Sequence, residues 1–345
     1  MLRPKSPQLS FYGNHIYDRV IPEDHFLKLL SRAVDFSFVN ELCRDAYTPE
    51  FGRPAYAPEM MFKMLYLQFL YDISDRRVEE EVNFNLVMKW FVGLAIDERP
   101  PDSSSLTRFR DRLGEERFAC IFNRIVELAR DKGLISDRLS IVDSTHVKAK
   151  VDIFKMNNNP DGSPDKDARY GYKSRNKPFF GYKEAHTGMD SDSELITRVK
   201  TTPGNVFDGK EFPGLIEDKA KMTTADKGYD SKKNHRLLNK KGITPAIIPK
   251  KNRKSRRLKK QQMKIEVQAA QSERPKVERK FAELKRFHGL EKARYWGLGK
   301  MAIQVLMTAI TCNVKRMVKL LFKRDYVDRS LTSAPVQGSN VPVLT

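Results

Sequence analysis

The 345-residue chain is short of cysteine, tryptophan, histidine and acid. Its three cysteines, Cys43, Cys120 and Cys312, are scattered. No pair has the spacing of a zinc or redox motif, and an odd count is a poor disulfide framework. That excludes a disulfide-stapled scaffold and fits a reducing cytoplasm. The six histidines do not form a zinc-ligand pattern. Long hydrophobic runs are missing too. The longest, Met301 to Cys312, is interrupted by Gln304 and is too short to span a bilayer. The first residues, MLRPKSPQLSF, carry no apolar run and no cleavage signal, so they do not read as a signal peptide. These absences point to a cytoplasmic protein with no membrane partner.

The shortage of acid is the most informative. With 44 Asp+Glu against 64 Lys+Arg, the formal net charge is +20. Net charge says little about fold and much about partners. A chain this basic favours polyanions, and nucleic acid leads because each neutralised phosphate releases counterions. A ribosome-associated protein or a merely basic enzyme remains open on charge alone. The hydrophobic fraction of 40% supports a sizeable core, and the length suits two domains.

The first 135 residues read as helical. Pro58 opens PEMMFKMLYLQFLYDISD, apolar on most faces and therefore a buried helix. RRVEEEVNFNLVMKWFVGL follows. After two prolines, Asp102 or Ser103 can cap a further helix that carries Arg108, Arg110 and Arg112. Short helices with an arginine-bearing member are compatible with a helix-turn-helix DNA reader. A bundle with a solvated basic face is the plainer alternative.

Near residue 138 the pattern turns to strands. LSIVDSTHVKAKV is a strand, and MNNNPDGSPDKDARYGYKSRNK is too rich in Asn, Asp, Gly and Pro for regular structure. FFGYKEAHTGMD and SELITRVKTTPGN form a hairpin. DGKEFPGLIEDKA reads as a helix, and KMTTADKGYD as a strand ending at Asp226. SKKNHRLLNKKG is a helix stopped by Gly242, and ITPAIIPK is another strand. Eight of the eleven residues from Lys250 to Lys260 are Lys or Arg. A helix from about Gln261 and a long amphipathic helix follow. The last residues, SLTSAPVQGSNVPVLT, read as a disordered tail. Consecutive strands followed by alternating helices and strands suggest a mixed sheet with helices on both faces.

Two acids stand out by position. Asp143 lies inside an apolar strand, where an uncompensated charge is costly. Asp226 ends another strand before a Gly-Tyr turn. Each is compatible with a metal ligand or with a salt-bridged strand acid. The segment RPKVERKFAELK places Arg274, Glu278 and Lys285 in the form R-x3-E-x6-K, on one helix face. Taken alone, Arg274 and Glu278 read equally as an i,i+4 surface ion pair.

These segments together resemble the DDE transposases of bacterial insertion sequences. Their C-terminal signature is Y-x2-R-x3-E-x6-K, and Gln271 stands where the family has tyrosine. IVDSTHVKAK resembles the family's first-aspartate strand and ADKGYDS its second. GYKEAHTGMD and VKTTPGNVFDG resemble the hairpin between them. Arg53 to Leu113, with PDSSSLTRFRDRL, resembles the helical N-terminal domain, so the likeness spans roughly residues 45–320.

The resemblance implies an α/β RNase H-like catalytic domain, a mixed five-stranded sheet flanked by helices, at residues 136–322. A basic insert would lie around 250–275, an all-α DNA-binding domain at 1–135, and a tail at 323–345. It implies that Asp143, Asp226 and Glu278 hold two Mg²⁺ ions, with Mn²⁺ able to substitute. The substrate would be double-stranded DNA at element ends and target, bound by a homodimer, with no small-molecule substrate. Arg274 and Lys285 would hold phosphates. Lys148 and Lys150 read either as contacts to the DNA backbone or as a solvated strand edge, Tyr229 either stacks on a base or packs under the turn, and Arg108 and Arg110 would meet the DNA read by the helical domain. His146 reads as structural, and His186 as a residue of the hairpin close to the metals. A same-fold nuclease and a non-catalytic, transposase-derived DNA-binding protein are the alternatives.

Overall fold

The computed structural model describes residues 11–48, 55–152, 163–174, 177–251 and 260–323. The middle of the basic run, 252–259, and the tail from 324 lie outside the described residues.

Seven helices come first: α1 (Phe11–Val20), α2 (Phe26–Ala33), α3 (Phe38–Leu42), α4 (Pro58–Leu70), α5 (Asp75–Phe84), α6 (Leu86–Val92) and α7 (Ser103–Asp131). Local chemistry sets their ends. Pro58 takes the first turn of α4, where its missing N–H costs nothing. Ser74 caps α5 and Asn85 caps α6, each side chain accepting from a backbone N–H of the new first turn. Asn85 thus splits into two helices a stretch whose apolar pattern reads as one. The Asp102 carboxylate caps α7, accepting from Ser105 N at 3.1 Å. Helix α7 breaks at Gly114, whose φ of 64° is left-handed and costs glycine little.

The sheet has six strands: β1 (Leu139–Lys148), β2 (Arg169–Ser174), β3 (Lys177–Asp190), β4 (Ile196–Pro203), β5 (Met222–Ala225) and β6 (Thr244–Pro245). β1 is central, antiparallel to β3 and parallel to β5, which is parallel to β6. β4 and β2 pair with successive lengths of β3. The expected five strands become six because β2 falls in the segment read as irregular. Its polar composition hides a short alternation: Tyr170 faces Phe180 and Tyr172 faces Pro178 across the strand pair. At the other edge β6 is only two residues long. Pro245 and Pro249 interrupt the apolar run there and limit ladder bonds.

The remaining helices are α8 (Asp208–Glu211), α9 (Lys232–Lys240), α10 (Ile265–Ser272), α11 (Pro275–Phe287) and α12 (Leu298–Phe322). The expected helix around DGKEFPGLIEDKA shrinks to the four residues of α8 and a 3-10 turn, since Pro213 and Gly214 follow at once. Gly242, φ 73°, follows α9 as expected.

Successive residues of β1 point to opposite faces. Ile141 enters the large apolar cluster that runs from α2, α4 and α7 through α11 and α12. Val142 enters a smaller cluster under α9, with Phe212, Leu215, Ala225, Tyr229 and Leu238. Helix α12 is buried from Met301 to Val314 because it packs against α2, α4, α7 and β4 at once. The N-terminal helices and the sheet therefore share one apolar cluster. Among the described residues, no helix is long and apolar enough to cross a membrane.

Candidate active site

The register of β1 and β5 brings the two aspartates together. Val142 pairs with Ala225 in parallel. Asp143 and Asp226 are the next residues on each strand, so they occupy adjoining positions, with neighbouring strands about 4.8 Å apart. β5 ends there, while β1 continues through a bulge between Asp143 and Thr145. The bulge disrupts the ladder beside the acid.

One guanidinium reaches both carboxylates. Arg274 donates to Asp143 Oδ2 at 3.0 Å and lies 3.6 Å from Asp226 Oδ1. Arg274 is 15% exposed, Asp143 17% and Asp226 39%. Burial pushes the Asp143 carboxyl above its ordinary range, and Arg274 and the Ser144 N–H pull the other way. The Nε of Arg274 is buried and has no hydrogen-bond partner among the described residues.

Helix α11 docks along the same strand. Val277, Phe281 and Leu284 form the expected apolar stripe and are buried. Lys285 Nζ donates to His146 O at 2.8 Å, so Arg274 and Lys285 both touch β1. Glu278 lies one turn beyond Arg274, between these two anchors, and its side chain is exposed. It makes no ion pair with a described residue. The alternative Arg274–Glu278 surface pair is absent among the described residues, since Arg274 faces the aspartates instead.

Tyr229 is buried, its ring packed against Phe212 at 5.6 Å and its hydroxyl bonded to Ser144. Burial raises the hydroxyl well above its ordinary value, with the carboxylates of Asp208, Asp143 and Asp226 adding to the rise. The ring packs under the turn, the second of its two readings, and is not exposed for stacking on a base in this structure. Arg110 is likewise turned inward. It pairs with Asp75 at 2.5 Å and stacks on Tyr295 at 4.9 Å. In this structure Arg110 joins α7 to α5. Arg108, two residues earlier and 66% exposed, lies on the open side of α7. Lys148 and Lys150 are exposed, Lys148 pairing with Glu291 at 2.9 Å.

His146 packs on Phe179 at 4.8 Å, as a structural residue would. The side chain of His186 lies outside the described residues. Gln271, at the signature's tyrosine position, donates to Ala246 O at 3.1 Å and Gln262 Oε1 at 2.6 Å. It ties α10 to the end of β6. Asp208 and Ser144, drawn into the site through Tyr229, were not singled out from the sequence. A carboxylate at the start of a four-residue helix has no pattern that marks it.

Two comparisons with known proteins bear on this arrangement. A family described as Transposase DDE domain matches residues 135–314, more than half of the chain. A second, Transposase domain (DUF772), matches residues 15–112. The chain belongs to the DDE transposase family of insertion sequences. Among solved structures it is similar to one described as a piggyBac transposase synaptic complex with hairpin DNA. The identity is 12% and the TM-score 0.41, over 85% of this chain and 74% of that one.

Proposed function

We propose that this transposase cuts the ends of an insertion sequence and joins the freed 3′-OH groups to target DNA. Asp143, Asp226 and Glu278 would hold two divalent ions, Mg²⁺ with Mn²⁺ able to substitute. The observation that carries this reading is the shared Arg274: two acids from separate strands lie beside one cationic group. The donors fit the metal. They are hard carboxylate oxygens, and a positive group already stands between two of them.

The bound ions would supply polarisation of the phosphodiester and an acidified attacking hydroxyl. The protein's own residues do the rest. Asp143, the less exposed aspartate, Asp226 and Glu278 would be the carboxylates that hold the ions. Arg274 and Lys285, on either side of Glu278, hold phosphates on the strand being cut. A bidentate guanidinium suits that task, and Lys285 adds a point charge. Lys148, Lys150 and the basic stretch near 250–275 track the DNA backbone. The bulge after Asp143 interrupts the β1–β3 ladder beside the acid. Helices of the 1–135 region, with Arg108 outward, bind the terminal inverted repeats. The order of β4, β3, β1, β5 and β6 across the sheet supports an RNase H-like catalytic domain over 136–322. Two ends must be joined, so the active form on DNA is a homodimer, acting on the bacterial nucleoid.

The test uses purified protein, Mg²⁺ and DNA carrying the element's ends. Wild type cuts and joins, and Asp143→Asn abolishes both while keeping end binding. Cutting by Asp143→Asn at the wild-type rate would remove the assignment. Cutting without joining would favour a same-fold nuclease, and binding without cutting a transposase-derived DNA-binding protein.

A further inference from the structure

We infer that Arg274 is a built-in counter-cation: it neutralises the Asp143–Asp226 pair when metal is absent and leaves it when metal binds. This rests on reading those aspartates as metal ligands. Four observations carry it. The guanidinium reaches both carboxylates, at 3.0 and 3.6 Å, so it stands in the space between them. Asp143 is largely enclosed, 17% exposed, and a carboxylate so placed needs a cation beside it to stay charged. The guanidinium is itself poorly satisfied there, with Nε buried and without a hydrogen-bond partner among the described residues. Finally, Arg274 is the N-cap residue of α11, between the end of α10 at Ser272 and the first turn at Pro275, outside both runs of helical turns.

A divalent ion and a guanidinium cannot share the same two oxygens at close range, because like charges repel. Metal entry therefore displaces Arg274. A phosphate oxygen arriving with DNA offers the displaced group the bidentate partner that the aspartates do not. The arginine would thus act in sequence, first as a placeholder that offsets the repulsion between the two carboxylates, then as a phosphate clamp. Glu278, exposed and outside the Arg274 contacts, needs no such placeholder. Lys285 cannot serve in its place, since its ammonium is held at His146 O.

The experiment is a Mn²⁺ titration of the full chain without DNA, followed by electron paramagnetic resonance, for wild type, Arg274→Gln and Asp143→Asn. Arg274→Gln should bind Mn²⁺ on the order of tenfold more tightly than wild type, the effect of removing one adjacent opposing charge. Its metal-free melting temperature should fall, and Mn²⁺ should restore it. Asp143→Asn should lose the site. Equal or weaker Mn²⁺ binding by Arg274→Gln, with the site still lost in Asp143→Asn, overturns the placeholder and spares the metal site. Indistinguishable Mn²⁺ binding by wild type and Asp143→Asn overturns the metal site, and the placeholder with it.

Discussion

Helix α11 carries two glutamates five residues apart in opposite surroundings. Glu278 is exposed and forms no ion pair with a described residue. Glu283 is held by Lys280 at 2.8 Å and Lys315 at 3.3 Å, beside His288 and the buried Cys312. The ligand atoms of Glu283, His288 and Cys312 lie within 4.8 Å of one another, a spacing that could hold a metal. Charge argues against it. Two ammoniums already face one carboxylate, and Lys315 lies 3.0 Å from His288 Nε2. Burial raises the Cys312 thiol to about 12, far from the thiolate a metal needs. At the aspartate pair the balance is reversed, two carboxylates against one guanidinium. The difference teaches that nearness of ligand atoms does not define a metal site. The proposed metal site is the one with a local excess of negative charge.

The largest effect that could break this comparison is on activity. Glu278→Gln should cut DNA cleavage at least a hundredfold, since a metal-site ligand supplies several kcal/mol in the transition state. Its melting temperature should stay within a degree or two of wild type, as expected for an exposed residue. A rate within threefold of wild type would show that the third acid lies elsewhere. Glu283→Gln should do the reverse. It leaves Lys280, 4% exposed, beside a neutral amide. Breaking a buried pair costs about 3 kcal/mol or more, readable by urea denaturation, with activity per folded molecule retained.

The two clusters should also differ in the sign of their pH dependence. Burial tends to raise the Glu283 carboxyl, but Lys280 and Lys315 outweigh it and hold the group at about 2. That is below its unfolded value, so its stabilisation is complete above the ordinary carboxylate range and is lost as pH falls towards about 2. Burial, and then Lys315, depress His288 to about 4. The fold prefers it neutral, so stability falls as pH drops from about 6.5 towards 4. Asp143 is raised, so its contribution is present at low pH and fades as pH rises through the carboxylate range. Urea melts of metal-free protein across pH should show acid sensitivity that Glu283→Gln reduces. Asp143→Asn should instead remove a destabilisation seen towards neutral pH. An unchanged acid limb in Glu283→Gln would show that the buried pair is not its source.

Much of this was legible in the sequence where local rules decide. Pro58, Asp102 and Gly242 mark the helix ends that the structure shows. The apolar stripe Val277, Phe281 and Leu284 is buried as its spacing implies. Asp143 stood out because a charge in an apolar strand needs a partner. That the partner is Arg274, 131 residues away, depends on β1, β5 and α11 meeting, and no local pattern carries that. The same limit hid β2, whose pairing partners lie in β3, and the inward turn of Arg110, which depends on Asp75 and Tyr295. Arginine has the same composition signal whether it meets a phosphate or a buried carboxylate.

That last ambiguity sets the smallest test. Arg108 and Arg110 are two apart on α7, so they point to different sides of the helix. Arg108→Ala should weaken DNA binding by tenfold or less and lower the slope of log affinity against log salt by about one. Its fold should be untouched, because its ties to Asp102, Ser104 and Ser105 are exposed. Arg110→Ala should leave the salt slope unchanged and lower the melting temperature, because it strips the Asp75 carboxylate of its bidentate partner. Fluorescence anisotropy over a salt series, beside thermal melts, separates the two. A salt slope reduced by Arg110→Ala instead would mean that α7 turns that residue outward on DNA, and the Asp75 pair would then belong to the free protein alone.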